Sequence, residues 1–399
     1  MATSAEAHAL STHPARDAAL ACAVALAVAL GVGRFAFTPL LPLMLKSGAL
    51  DIRQGGWLAS ANYAGYLIGA LTCAAIRVDH GRMVRLALVT TAVFTLAMGL
   101  VHVFWAWTAI RFAAGVVSAW AFVFASQWGL RRLAELNAHG MSGVIYAGPG
   151  VGIVATGLLG AGAAAYGVSA PWVWTGFAAC SAVAIAFIWQ AFALTPPPAS
   201  AHARAASATA HASTRGDAFW LVSLYGLAGF GYIITATFLP VIARHALPGS
   251  PWPDLFWPAF GLALMVGAVF GARLPIAWDN RRLLAACYIV QAAGIGLGVV
   301  SPTAIGLGAG TVLLGLPFTA ITLFAMREAR RLRGDAAAGL MGYATGAYGL
   351  GQIVGPIVAA PIAERTGSFS YALWIAAAAL ALGAVALAIV SRRGGGADA

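Results

Sequence analysis

The sequence predicts an all-α membrane protein: twelve transmembrane helices arranged as two pseudo-symmetric six-helix bundles. Three observations carry this. Of the 399 residues, 61% are hydrophobic and only 9% are charged, whereas a soluble domain carries roughly 25% charged residues. The apolar residues gather into runs of membrane-spanning length, about 20 residues each. The two halves also repeat one another across a polar segment. Such a composition excludes an ordinary water-soluble enzyme, and intrinsic disorder as well, which needs low hydrophobicity and high charge.

Six runs fall at 18–45, 55–76, 84–104, 105–130, 141–166 and 171–195, and six more at 218–243, 255–275, 283–300, 303–326, 336–362 and 371–391. The first continues to Leu45 with no cleavage signal, so it reads as a retained span rather than a secretory leader. Residues 196–217 open on Pro196-Pro197-Pro198 and continue in Ala, Ser, His and Thr, the composition of a flexible linker. The expected organisation is therefore a tail (1–17), a bundle (18–195), a linker (196–217), a bundle (218–391) and a second tail (392–399).

The net charge of +11 would point to nucleic acid in a soluble chain; here its distribution gives another meaning. With the amino terminus inside, seventeen of the 23 basic residues fall in cytoplasmic segments, among them Arg82, Arg85, Arg131, Arg281 and Arg330. Lys46, Arg53, Arg244 and Arg365 fall on the far side, and Arg34 and Arg111 lie within spans. Positive residues concentrate on the cytoplasmic side of membrane proteins. Basicity is thus orientation: a multi-pass protein of a bacterial-type inner membrane, both termini cytoplasmic, with no nucleic-acid partner.

Cys22, Cys73, Cys180 and Cys287 sit in apolar runs without metal-ligand or redox spacing, and no cofactor is expected. His102, His139 and His245 lie near span ends, and Trp105, Trp107, Trp172, Trp174, Trp252 and Trp257 read as interfacial anchors. Gly31-Val32-Gly33 and Leu41-Pro42 recur as Gly229-Phe230-Gly231 and Leu239-Pro240, displaced by 198 residues; Gly143, Gly150 and Gly152 recur as Gly342, Gly349 and Gly351. Duplicated halves are a transporter architecture.

Several segments resemble the major facilitator superfamily. Arg111 to Gly115 resembles its R-x-x-x-G motif in the fourth span. Gly148-Pro149-Gly150-Val151-Gly152 resembles its Gly-Pro motif, common in antiporters, and Asp79-His80-Gly81-Arg82 its loop after the second span, one residue shorter. The run from Gly31 through Gly33, Arg34, Thr38 and Pro39 to Pro42 is similar to the first-helix signature of the YbfB/YjiJ-type branch. The resemblance implies alternating access, with a central cavity between two bundles.

Arg34 lies eleven residues from Leu45, about 16 Å along a helix. A charge at that depth costs about 2.5–3.5 kcal/mol on insertion scales, so it faces a cavity or a partner. It reads as a fixed positive charge for an anionic substrate group; the bland alternative is a clasp to a neighbouring carbonyl. Arg111 is a second candidate. All twelve acidic residues fall in tails, loops or span ends, which favours an anionic substrate over a cationic drug. Thr38, Asn62, Tyr66, Gln127, Tyr146, Tyr225, Tyr232, Thr235, Tyr343, Tyr348 and Gln352 are further cavity-lining candidates, Tyr232 being the repeat counterpart of Arg34. The expected activity is secondary transport of a small organic anion by a monomer in the lipid bilayer, with export favoured. A proton-coupled exporter of amphipathic drugs and a membrane-embedded lipid-modifying enzyme are the rivals; no nucleophile–base cluster supports the enzyme.

Overall fold

A computed structural model describes residues 13–193, 215–275, 277–334 and 337–395. Among these the regular elements are helical. The first apolar run is a helix broken at its centre. α1 (Pro14–Leu26) passes into a π-helical turn (Ala27–Val32), residues 33–36 form turns, and α2 (Phe37–Lys46) resumes. Gly33 and Phe35 donate their N–H groups back five residues, to Val28 O at 3.0 Å and Leu30 O at 2.9 Å. Pro39 and Pro42 follow, neither with an N–H to offer an earlier carbonyl. The irregular backbone therefore sits beside Arg34, and π-turns inside helices recur at functional sites.

α3 (Ile52–Thr72) begins on a reciprocal cap, in which Asp51 accepts from Gln54 N–H at 2.7 Å and Gln54 Oε1 accepts from Asp51 N–H at 3.0 Å. α4 (His80–Leu100) is capped by Asp79, which accepts from the Arg82 N–H at 2.9 Å. α5 (Phe104–Glu135), α6 (Ser142–Ala165) and α7 (Ala170–Ile188) complete the first part of the chain. The second part holds α8 (Arg215–Ala246), α9 (Pro253–Arg273), α10 (Asn280–Val300), α11 (Ala304–Gly315), α12 (Phe318–Arg333), α13 (Ala337–Thr366) and α14 (Ser370–Gly395).

Some boundaries move. Residues 14–17, 215–217 and 392–395 are helical rather than tail or linker; apart from His13, the rest of the expected linker and tails lies outside the described residues. The run at 303–326 is two helices, because Pro317 interrupts it. Eleven stretches of the described chain are long and apolar enough to cross a membrane, one fewer than the runs in the sequence. The difference is α3, whose Gln54, Ser60, Asn62 and Tyr63 lower its hydropathy. Those polar groups face protein: Ser60 Oγ donates to Ile353 O at 2.8 Å, Asn62 Nδ2 to Arg111 O at 2.8 Å, and Tyr63 Oη bonds Thr237 Oγ1 at 2.9 Å. These bonds offset much of the cost of a polar face inside a bilayer, though Asn62 Oδ1 is left without a partner.

The packing repeats at an offset of 199 residues, one more than the 198 that relates the first and seventh runs in the sequence. A Cβ added to Gly152 would meet Ala27 O and Gly31 Cα, and one added to Gly351 would meet Gly226 O and Phe230 N. Each of these positions lies 199 residues before its counterpart. Contacts between the two parts repeat likewise, with Gly150 against Met265 of α9 and Gly349 against Leu67 of α3. α6 thus packs on α9 as α13 packs on α3, while α2 meets α8 between them. The glycines that carried the motif resemblance, Gly31, Gly148, Gly152 and Gly115, all mark backbone-to-backbone approaches; Gly115 meets Asn62 O and Gly148 meets Ala23 O.

Candidate functional site

Arg34 sits where these helices converge, and its side chain is 5% exposed. Its Nη2 donates to Gln352 Oε1 of α13 at 2.9 Å, and Gln352 Nε2 donates to Tyr232 Oη of α8. The two repeat counterparts, Arg34 and Tyr232, are therefore joined through one amide. The guanidinium lies against three rings, with centroids at 4.1 Å for Tyr66, 5.1 Å for Tyr63 and 5.3 Å for Phe35. Cation–π contacts of about 0.5–2 kcal/mol each offset part of the burial cost. Among the described residues no carboxylate pairs with Arg34, and its Nε has no hydrogen-bond partner.

Arg111 is placed differently. It is buried, and Nη1 and Nη2 donate to Gly33 O at 3.3 Å and Arg34 O at 3.1 Å. Its fork holds the carbonyls of the broken first helix, the kind of clasp that the sequence offered as the alternative for Arg34 and not for Arg111. Asn62 in turn grips the Arg111 carbonyl. Arg111→Ala is expected to lower stability by more than about 3 kcal/mol, since hydrogen bonds to charged groups contribute about 1.5–3 kcal/mol each. A melting curve of the solubilised variant that matches wild type would refute the clasp.

The structure brings together Arg34, Tyr66, Tyr232, Tyr348 and Gln352. Tyr348 stacks on Tyr232 at 5.8 Å and on Tyr225 at 4.5 Å. Thr38 lies one layer out and donates to Ala236 O of α8 at 3.3 Å. Tyr146 belongs to the other core cluster, against Phe122, and Gln127 bonds His80 at 2.8 Å. Asp79 acts as a helix cap, and Arg82 enters the motif through its main chain alone.

The tryptophan reading needs correction. Trp105, Trp172 and Trp252 are exposed, as interfacial anchors would be, but Trp107, Trp174 and Trp257 are buried. Trp105 and Trp107, like Trp172 and Trp174, lie two residues apart on one helix, which turns one member outward and the other inward, whereas Trp252 lies just before α9 and Trp257 within its first turns. Trp257, 1% exposed, joins the central site with Phe260 and Phe318. Nothing in the sequence marked Phe260 and Phe318 beyond aromatic character inside apolar runs, and Trp257 read as an interfacial anchor.

Polar contacts between the two parts of the chain cluster from Arg34 toward the ends that carry Lys46, Arg53, Arg244 and Arg365. They are Thr38 with Ala236, Tyr63 with Thr237, Ser60 with Ile353, and Arg53 with Glu364 at 3.4 Å. The last pair is half-exposed and contributes at most about 1 kcal/mol. A separate cleft of about 730 Å³ lies between α4 and α7, lined by apolar residues such as Val89, Val93, Leu96 and Ile185. It shares no residue with the Arg34 group.

The membrane-spanning helices, together with the family match, define a transporter of the major facilitator type. The chain belongs to the family described as "Uncharacterised MFS-type transporter YbfB", whose model matches residues 26–388. Among solved structures it is similar to a mutant form of the nucleoside transporter NupG, with TM-score 0.72 at 14% identity over 93% of this chain and 99% of that one. At that identity the likeness concerns the fold. No curated protein matches the sequence.

Proposed function

We propose that this transporter moves a small organic anion across the bacterial inner membrane by alternating access, with Arg34 as the anion's anchor. The observation that carries this reading is the bond between Arg34 and Gln352: a buried, permanently charged guanidinium met by a neutral amide instead of a carboxylate. A substrate carboxylate, phosphate or sulfonate displaces the amide and supplies the missing charge, in the bidentate geometry that arginine favours.

In this reading α3 is the twelfth span; its 21 residues reach about 31 Å, and Ser60, Asn62 and Tyr63 on its polar face bond to protein. Residues 18–195 and 218–391 act as two bundles that rock about the α6–α9 and α3–α13 contacts. The repeated glycine contacts support that division. Both termini are cytoplasmic and the unit is a monomer. The inter-bundle contacts then close the periplasmic side, and the exposure of Thr322, bonded to buried Tyr225 at 3.0 Å, supports an opening toward the cytoplasm. Export is the direction we favour, from the Gly148-Pro149 motif.

The test is a thermal-shift screen of purified protein against organic anions and cations, followed by flux of the hits in proteoliposomes. Anions are expected to stabilise, by about 2.7 kcal/mol at a hundred times Kd, and cations are not. Stabilisation by cationic amphiphiles alone would instead select the drug exporter.

A further inference from the structure

Beyond the charge of the substrate, the shape and chemistry of the surrounding wall are informative. A circuit of contacts starts and ends at Arg34. Phe35 meets Trp257 edge-on at 6.2 Å, Trp257 stacks on Phe260 at 5.2 Å and 5°, and Phe260 meets Phe318 at 5.8 Å and 76°. Phe318 meets Tyr232 at 4.9 Å and 75°, and Tyr232 returns through Gln352 to Arg34. The first part of the chain contributes Arg34 and Phe35, and the second part contributes the rest. The circuit therefore straddles the junction that must open and close.

Two donors in this circuit are idle. Arg34 Nε and Trp257 Nε1 are both buried without a hydrogen-bond partner. Buried indole N–H groups ordinarily find an acceptor, and of the twelve buried side-chain atoms without a partner among the described residues these two alone lie in the circuit. A molecule with two acceptors separated by a flat apolar body satisfies both, and a wall of ring faces and edges rewards an aromatic body over a saturated one of equal size.

We propose that the transported anion is an aromatic carboxylate: its acid group takes Arg34 from Gln352, its ring lies against the Trp257–Phe260–Phe318 wall, and a ring oxygen substituent accepts from Trp257 Nε1. This rests on the anion reading above and narrows it to a chemical class. The two are separated by a four-compound titration of the purified full-length protein, using benzoate, 4-hydroxybenzoate, cyclohexanecarboxylate and 4-hydroxybenzamide, followed by calorimetry and melting temperature.

The expected order is 4-hydroxybenzoate, then benzoate, then cyclohexanecarboxylate roughly tenfold weaker than benzoate, with the neutral amide weakest. Cyclohexanecarboxylate binding as tightly as benzoate overturns the aromatic inference and leaves the anion reading standing. The amide binding as tightly as the acid overturns both. Failure of both aromatic acids to bind overturns the inference. Trp257→Phe keeps the ring and removes the donor. Whatever it does to the affinity for both acids, it should erase the advantage of 4-hydroxybenzoate over benzoate, whereas an undiminished advantage overturns the role given to Trp257.

Discussion

Arg34→Gln is expected to reduce anion transport by at least about a hundredfold while the protein folds and accumulates as wild type. Two charge-assisted hydrogen bonds to the anion, at about 1.5–3 kcal/mol each, correspond to two or more decades of affinity. Stability should not suffer. In the described state the arginine bonds to the neutral amide of Gln352 rather than to a carboxylate, and it occupies membrane depth at a cost of about 2.5–3.5 kcal/mol. A neutral side chain of similar length removes that cost, so the melting temperature should hold or rise as transport disappears. Gln352→Glu should reach the same loss from the opposite direction. A carboxylate in place of the amide, 2.9 Å from the guanidinium, gives Arg34 a permanent internal counter-ion that the substrate has to displace. Flux in proteoliposomes and melting curves of the two variants check both statements. Wild-type flux in Gln352→Glu would mean that Arg34 is not the charge the substrate meets.

Much of this was legible in the sequence. The membrane runs could be read because apolar content dominates each one, and their ends shift by only a few residues in helices such as α6 and α10. The break at Pro317 was not legible, since the apolar pattern runs through it without a polar gap. Arg34 stood out because a charge within an apolar run is conspicuous, and its link to Tyr232 followed the 198-residue offset. Trp257, Phe260 and Phe318 carried no such mark: an aromatic residue in a membrane run looks alike whether it faces lipid or a partner helix. The role of Arg111 depends on carbonyls exposed by a π-turn, a backbone feature that side-chain identity does not announce. Both readings of an embedded arginine require burial, so only the acceptor atoms distinguish Arg34 from Arg111.

Gly152→Val is expected to abolish folded protein, the largest structural effect of any single substitution considered. Gly152 of α6 faces the π-turn of the first helix, where an added Cβ would come within 2.7 Å of Gly31 Cα and closer still to Ala27 O. Overpacking against side chains costs about 1–3 kcal/mol because rotamers can give way. Here the obstacle is backbone on both sides, so α6 itself would have to retreat, breaking the approach that holds the Arg34 segment. A loss above about 3 kcal/mol follows. The repeat supplies an internal replicate, since Gly351→Val should fail in the same way against Gly226 and Phe230. Gly162, in the same helix with open space around it, supplies the control. Gly162→Ala should be neutral or gain up to about 1 kcal/mol from helix propensity. Yield of monodisperse protein on size exclusion, compared across the three variants, decides the matter. Equal yields would show that the glycines reflect composition, and the rocking contacts would then have to be sought on other faces of α6 and α13.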